Sequence, residues 1–234
     1  MILTPTHPLW LAGFRPFFLL AFVSGATLPV GWLLILFGVW PAPDSAAGSA
    51  VVWHAHEMFY GFGWAMLGGF LLTASKNWVK GRGVHGRTLM FLTLAWLFDR
   101  LAMGFGAAWP APLFLVASQL FLITIVALLV WALARHHRQD AYPDNLYFIL
   151  ALPLFPLAKW LLLQPGTFAL GLSMTIGLFR LAFLLMLERT LPPFMQRAFR
   201  IVLPRNHWLD GAIRLLGFVL IFERLLPPPL AGGL

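Results

Sequence analysis

Residues 51–74 read VVWHAHEMFYGFGWAMLGGFLLTA, and this stretch decides the fold class. It is long and mostly apolar, and a helix needs about 20 apolar residues to cross the hydrocarbon core of a bilayer. Its apolar residues do not alternate with polar ones, as they would in a strand of a membrane barrel. The stretch therefore predicts a transmembrane helix with two histidines and a glutamate near its start.

The whole chain shares this apolar character. Of its 234 residues, 60% are apolar and 10% are charged, whereas a soluble domain carries about 25% charged residues. The chain has no cysteine, which excludes disulfide scaffolds, thiolate metal sites and covalent haem attachment. We predict an all-α polytopic integral membrane protein, a bundle of six to seven transmembrane helices forming a single transmembrane domain over residues 1–234.

Six spans are clear, and a seventh is weaker because charged residues interrupt it. The clear spans cover 16–39, 51–74, 88–108, 112–134, 145–163 and 168–188, and the weaker one covers 207–226. The first apolar run, from Pro16, is too long for the core of a signal peptide and predicts a retained span.

The basic residues predict the orientation of the spans in the membrane. They lie in alternate loops, and cytoplasmic loops carry the excess of Lys and Arg. The N-terminus is therefore expected in the cytoplasm, the C-terminus outside if 207–226 spans, and no nucleic-acid partner is expected. These residues are Arg15, Lys76, Lys80, Arg82, Arg87, Arg135, Arg138, Arg189, Arg197, Arg200 and Arg205.

The polar start of the second span is the candidate site. His54, His56 and Glu57 are expensive in lipid unless they are paired or bound to something. On a regular helix His54 and His56 are about 200° apart, so they would serve two sites, or one would ligate a metal and the other support it.

A small-residue stripe follows the same span and leaves a structural alternative open. Small residues allow a flat neighbour to approach, which is either a second helix or a porphyrin face. In the first case the polar start of the span is satisfied by interfacial water and headgroups. The stripe at four-residue spacing is Glu57, Gly61, Ala65, Gly69 and Thr73.

The remaining histidines all fall in predicted cytoplasmic segments. A haem held by two histidines near the outer side therefore cannot form within one chain. Its second axial ligand would be a methionine, water, a gas such as nitric oxide, or a histidine of a second copy in a homodimer. The methionine candidates are Met58, Met103 and Met174; His136, His137 and His85 are interpreted as solvated loop residues.

Four further charges lie inside spans, and intramembrane charges are functional by default. Asp99 and Arg100 lie near the middle of the third span, and Arg180 is similarly deep in the sixth. They are expected to act in the function, or Asp99 and Arg180 form a structural ion pair. An arginine in a haem protein can also pair with a propionate. Lys159 is expected to extend its amine to the outer interface.

Three stretches make the chain resemble the NnrS family of membrane proteins. They are GFRPFFLLA at 13–21, WHAHEMFYGF with GFLLTASKNW across 53–78, and ERTLPPFMQRAF at 188–199. Typical members are longer, and this chain is similar to their N-terminal half with at most one further helix. Members are described as haem- and copper-containing proteins of the bacterial inner membrane, associated with denitrification and nitric oxide stress.

The resemblance implies a haem-binding inner-membrane protein, with copper as a second metal and nitric oxide as a ligand. His54 and His56 belong to the WHAHEM motif and are the expected metal ligands. Glu57 and Arg180 are the expected supporting or propionate-binding partners, and Arg15 of the GFRPFF motif is the expected anchor at the inner end. A haem- or metal-binding redox role is favoured over a defined enzyme activity.

Two other hypotheses about the function are compatible with the sequence. A small transporter or metal-ion carrier would use Glu57, Asp99 and Arg180 as an intramembrane polar pathway. An assembly partner would bind nothing alone.

Overall fold

The computed structural model describes residues 4–41, 48–78, 83–135, 145–204 and 206–226. Within these ranges the chain forms seven helices and no strand. They are α1 (Phe14–Leu36), α2 (Ala50–Trp78), α3 (Arg87–Ala108), α4 (Ala111–Arg135), α5 (Asn145–Leu163), α6 (Phe168–Phe199) and α7 (His207–Val219). Several residues assigned above to cytoplasmic loops lie outside the described residues: Lys80, Arg82, His136, His137, Arg138 and Arg205.

Helices α1 to α6 are long and apolar enough to cross a membrane. The predicted all-α bundle and its six clear spans are therefore confirmed. Large apolar side chains such as Leu33, Leu94 and Val116 are exposed on the outside of the bundle. Such a surface is suited to lipid tails, which are as apolar as the side chains themselves.

The second span is the central helix of the bundle. In its most apolar part, 56% of the residues of α2 are buried, against 11% for α1. It packs against α1, α4 and α5, and its N-terminal half also contacts α3. Polar side chains near the start of α2 are therefore enclosed by neighbouring helices.

The weaker seventh segment is a short helix that lies along α6. Helix α7 has 13 residues and continues into a 3₁₀ turn at Leu220–Leu225. It runs antiparallel to α6, because Arg214 bonds Glu188 while Ile221 lies against Gly177. It is not among the helices long enough to cross alone, and its crossing of the membrane stays a prediction.

Candidate functional site

Helix α2 changes its winding at the candidate site. Ser49 caps the helix by accepting a hydrogen bond from the Val52 amide at 3.2 Å. The chain is α-helical to His56, π-helical over Glu57–Gly63, and α-helical again from Trp64. A π-helical turn inserts extra residues into the helix and is frequent at functional sites.

The π-helical stretch divides the predicted small-residue stripe between two neighbours. Glu57 and Gly61 face α3, where a Cβ on Gly61 would overlap the Arg100 guanidinium. Gly69 faces α1, where a Cβ would lie 2.9 Å from the Cβ of Phe17. The stripe is therefore a helix-packing surface at its C-terminal end and part of the polar site at its N-terminal end.

His56 lies between two carboxylates and is completely buried. Its Nδ1 is 3.2 Å from Oε1 of Glu57, and its Nε2 is 3.6 Å from Oδ1 of Asp99 on α3. Both ring nitrogens therefore face acidic oxygens of the protein itself.

Two cations balance these carboxylates. Oδ2 of Asp99 accepts hydrogen bonds from Lys159 Nζ at 2.7 Å and from Arg100 at 2.6 Å. Lys159 also donates to the Ser118 carbonyl, and Arg100 Nη1 lies 3.4 Å from Oε2 of Glu57. Helices α2, α3 and α5 thus meet in one cluster, which we call the ionic network: His56, Glu57, Asp99, Arg100 and Lys159.

Two predictions about intramembrane charges are wrong. Asp99 does not pair with Arg180, which lies half-exposed on α6 with its Nη1 4.0 Å from Oε2 of Glu223. Lys159 does not extend to the interface, because its side chain is fully enclosed and bonded to Asp99. Both differences have the same cause: the Asp99 side chain lies at the contact between α2 and α5, where it pairs with Lys159.

Arg100 and Lys159 were missing from the residues expected to form the site. Their signals in the sequence were an acid–base pair inside an apolar span, Asp99–Arg100, and a lone lysine in the next-but-one helix. Neither signal showed which residues would meet.

His54 has different surroundings from His56, as the spacing predicts. Its ring stacks on Trp32 of α1 with centroids 4.1 Å apart and planes inclined by 16°. The side chain is half-buried. Among the described residues, no hydrogen bond to its ring nitrogens is formed, so the contact of His54 with Trp32 is through the face of the ring and leaves both nitrogens without a partner.

Arg15 and Arg180 lie away from the ionic network. Arg15 is exposed at the start of α1, where it donates to the Pro8 carbonyl at 2.6 Å. Along α1 it is 17 residues before Trp32, or about 25 Å at 1.5 Å per residue. The structure does not bring either arginine together with His54 and His56.

A pocket of about 540 Å³ opens between α1, α2 and α3 beside the ionic network. Its charged lining residues are Glu57 and Arg100, flanked by Trp53 and Trp96. Trp96 fixes this wall, since its indole N–H donates to the Gly61 carbonyl at 3.1 Å. Within the described chain, Nε and Nη1 of Arg100 are buried and have no hydrogen-bond acceptor, although Nη1 lies 3.4 Å from Oε2 of Glu57.

A complete metal site does not form from the described residues. No group of three His, Asp or Glu side chains in that part of the chain could hold a metal ion. Met103 and Met174, two of the methionines considered as axial ligands, are buried in the apolar core.

The fold and this site define a multi-pass α-helical membrane protein with a charged cluster enclosed among three of its helices. The chain belongs to the NnrS family: the family model described as NnrS protein matches residues 8–233, nearly the whole chain. This confirms the resemblance carried by the three sequence motifs. No curated protein and no solved structure matches the chain significantly.

Proposed function

We propose that this protein binds haem in the bacterial inner membrane and serves the response to nitric oxide or denitrification, with copper as a second metal. Family membership supports the class. The proposed iron ligand is His54. Its imidazole is half-buried, stacks on Trp32 and forms no hydrogen bond through its nitrogens to the described residues. Haem iron held there would supply reversible binding of a diatomic gas and transfer of an electron.

The residues fit a haem held through one protein ligand. His54 is available for the iron, because its ring is steadied by Trp32 and leaves both nitrogens unused. His56 is the less accessible of the two expected ligands, since it is completely buried and its Nδ1 is 3.2 Å from Oε1 of Glu57, while its Nε2 has no hydrogen-bond partner among the described residues. Arg100, rather than Arg180, lines the pocket between α1, α2 and α3, and its charge is balanced there by Glu57 and Asp99.

The described residues do not fit a copper site of several ligands. No group of three His, Asp or Glu side chains that includes His54 could hold a metal ion in this part of the chain. A copper ion in this protein would need ligands from segments beyond the described ranges or from a second copy.

The test is an absorption spectrum of protein purified from haem-replete cells, oxidised, then reduced with dithionite, then exposed to nitric oxide. We expect a Soret band that shifts at both steps and that is lost in His54→Ala. His207→Ala is the matched control, because His207 is exposed at the start of α7, and it should keep the band.

The His56→Ala variant separates the two histidines. If His56 only holds the ionic network together, the folded fraction of this variant keeps its haem. A colourless wild-type protein, or His54→Ala with full haem occupancy, contradicts the proposal.

The structure does not assemble the polar pathway that the transporter or metal-ion carrier hypothesis requires. Glu57 and Asp99 lie within the ionic network, whereas Arg180 pairs with Glu223 on another face of the bundle. The three residues expected to form a continuous polar path are therefore not assembled.

A further inference from the structure

The outward face of α6 carries a charge at a depth where lipid tails lie. Arg180 is 12 residues after the start of α6, or about 18 Å along the helix axis. The hydrocarbon core is about 30 Å thick, so an α6 that starts at one interface places Arg180 near the bilayer centre.

Arg180 is poorly satisfied at this position. The distance of 4.0 Å between its Nη1 and Oε2 of Glu223 is too long for a hydrogen bond, and the two side chains are 45% and 44% exposed. An arginine at the centre of a bilayer is energetically unfavourable, and such residues almost always face protein or a water-filled cavity. Contact with lipid tails alone is therefore an unfavourable state for this face.

The same face has the shape of a groove. A cavity of about 750 Å³ between α6 and the turn after α7 contains Ser173, Arg180, Glu223 and Arg224. A second cavity of about 450 Å³ continues from Arg180 along α6. Exposed apolar side chains line the helix at helical spacing along this path: Ile176, Phe183 and Leu187.

We propose that a second copy of this chain occupies the groove, in a two-fold dimer in which Arg180 of each copy faces Glu223 of the other. The groove holds Arg180 and Arg224 beside Glu223, so a two-fold contact, which buries the same patch on both copies, sets each Glu223 against an arginine of the other copy. An anionic lipid phosphate would meet the Glu223 carboxylate as well as the two arginines, whereas a second copy presents a carboxylate to each Arg180. This dimer goes beyond haem binding and does not depend on it.

The absence of cysteine from the chain allows a direct test by disulfide cross-linking. Ile176→Cys, Phe183→Cys and Leu187→Cys are made one at a time in the full chain, and each protein is oxidised in native-like lipid nanodiscs. We expect a covalent dimer at one or more of these positions. Leu94→Cys is the control, because Leu94 is 63% exposed on α3, away from the groove, and it should stay monomeric.

Charge reversal tests the pairing itself. The position that cross-links best is combined with Arg180→Glu, with Glu223→Arg, and with both. Each single reversal places like charges together and should abolish the cross-linked band, and the double reversal should restore it. A cross-link restored by the double reversal also shows that loss of the band in the single variants is not due to misfolding.

The mass of the particle gives the opposing outcomes. Light scattering on nanodiscs, after the lipid and scaffold contributions are subtracted, should give a mass of this protein that is twice the 26.2 kDa of one chain. A mass of one chain with no cross-linking above the Leu94→Cys control overturns the proposal. A single chain that retains anionic lipid only while Arg180 is present also overturns it, in favour of a lipid headgroup site.

Discussion

Asp99 of α3 and Lys159 of α5 form an ion pair of 2.7 Å, with neither side chain accessible to solvent or lipid. The pair lies at the centre of the ionic network, because Asp99 also faces His56 of α2. Two carboxylates and two cations make the network neutral when His56 is neutral, and this is how charges are tolerated inside a bundle. The pair therefore fixes how α2, α3 and α5 meet.

Replacing Lys159 by methionine should destabilise the protein strongly. The substitution keeps the length and packing of the side chain but removes one of the two cations bonded to Asp99, which leaves the ionic network with an uncompensated negative charge. Breaking a buried pair in this way costs about 3–5 kcal/mol. The measurement is thermal unfolding in detergent. Lys76→Met is the matched control, because Lys76 is exposed near the end of α2, and its unfolding temperature should stay close to wild type.

The double variant Lys159→Met with Asp99→Asn should recover part of this loss, because it removes the uncompensated charge. A double variant as unstable as the sum of the two single variants would show that the residues contribute independently.

Gly171→Ala should disrupt the contact between α5 and α6. A Cβ at this position would overlap the backbone of Leu161 and Leu162, and backbone cannot move aside as a flexible side chain can. Overpacking costs about 1–3 kcal/mol and occasionally more, so we expect lower yield and a lower unfolding temperature. Gly104→Ala is the control: nothing lies within 4 Å of its Cβ position, and this change should be neutral or stabilising by up to about 1 kcal/mol.

Trp96→Phe should weaken the wall of the pocket. It keeps an aromatic ring but removes the indole N–H that bonds the buried Gly61 carbonyl, and a buried acceptor left without its donor costs about 1–3 kcal/mol. Unfolding of the variant is compared with that of Trp131→Phe, whose side chain is 60% exposed and whose replacement should change stability by less than about 0.5 kcal/mol. Equal effects of the two changes would contradict the role given to Trp96.

The C-terminus should lie on the side of the membrane opposite to the N-terminus. Helix α7 and its following turn run back along α6, from Glu188 toward Ser173, which is the course of a seventh crossing. Alkaline phosphatase fused after Leu234 should be active outside the cytoplasm, and green fluorescent protein fused before Met1 should fluoresce inside. An inactive C-terminal phosphatase would place α7 on the cytoplasmic surface instead.

The helical spans and the separation of the two histidines could be predicted from the sequence alone. The six spans follow from runs of apolar residues, which depend only on local composition. The different surroundings of His54 and His56 follow from their two-residue spacing on a helix. The π-helical stretch at Glu57–Gly63 was not predicted, because its effect is a change of winding that no residue in WHAHEMFYGFG requires locally.

The sequence by itself determined an apolar helical bundle, its six clear crossings and its family, because hydropathy and short motifs are properties of neighbouring residues. Only the tertiary structure decided which charges meet. Asp99 and Lys159 are 60 residues apart, and no local spacing distinguishes that pair from the expected Asp99–Arg180. The choice follows from desolvation, since a carboxylate enclosed by α2, α3 and α5 needs a cation from those same helices. Arg180 stays on the outer face of α6, where its Nη1 lies 4.0 Å from Oε2 of Glu223.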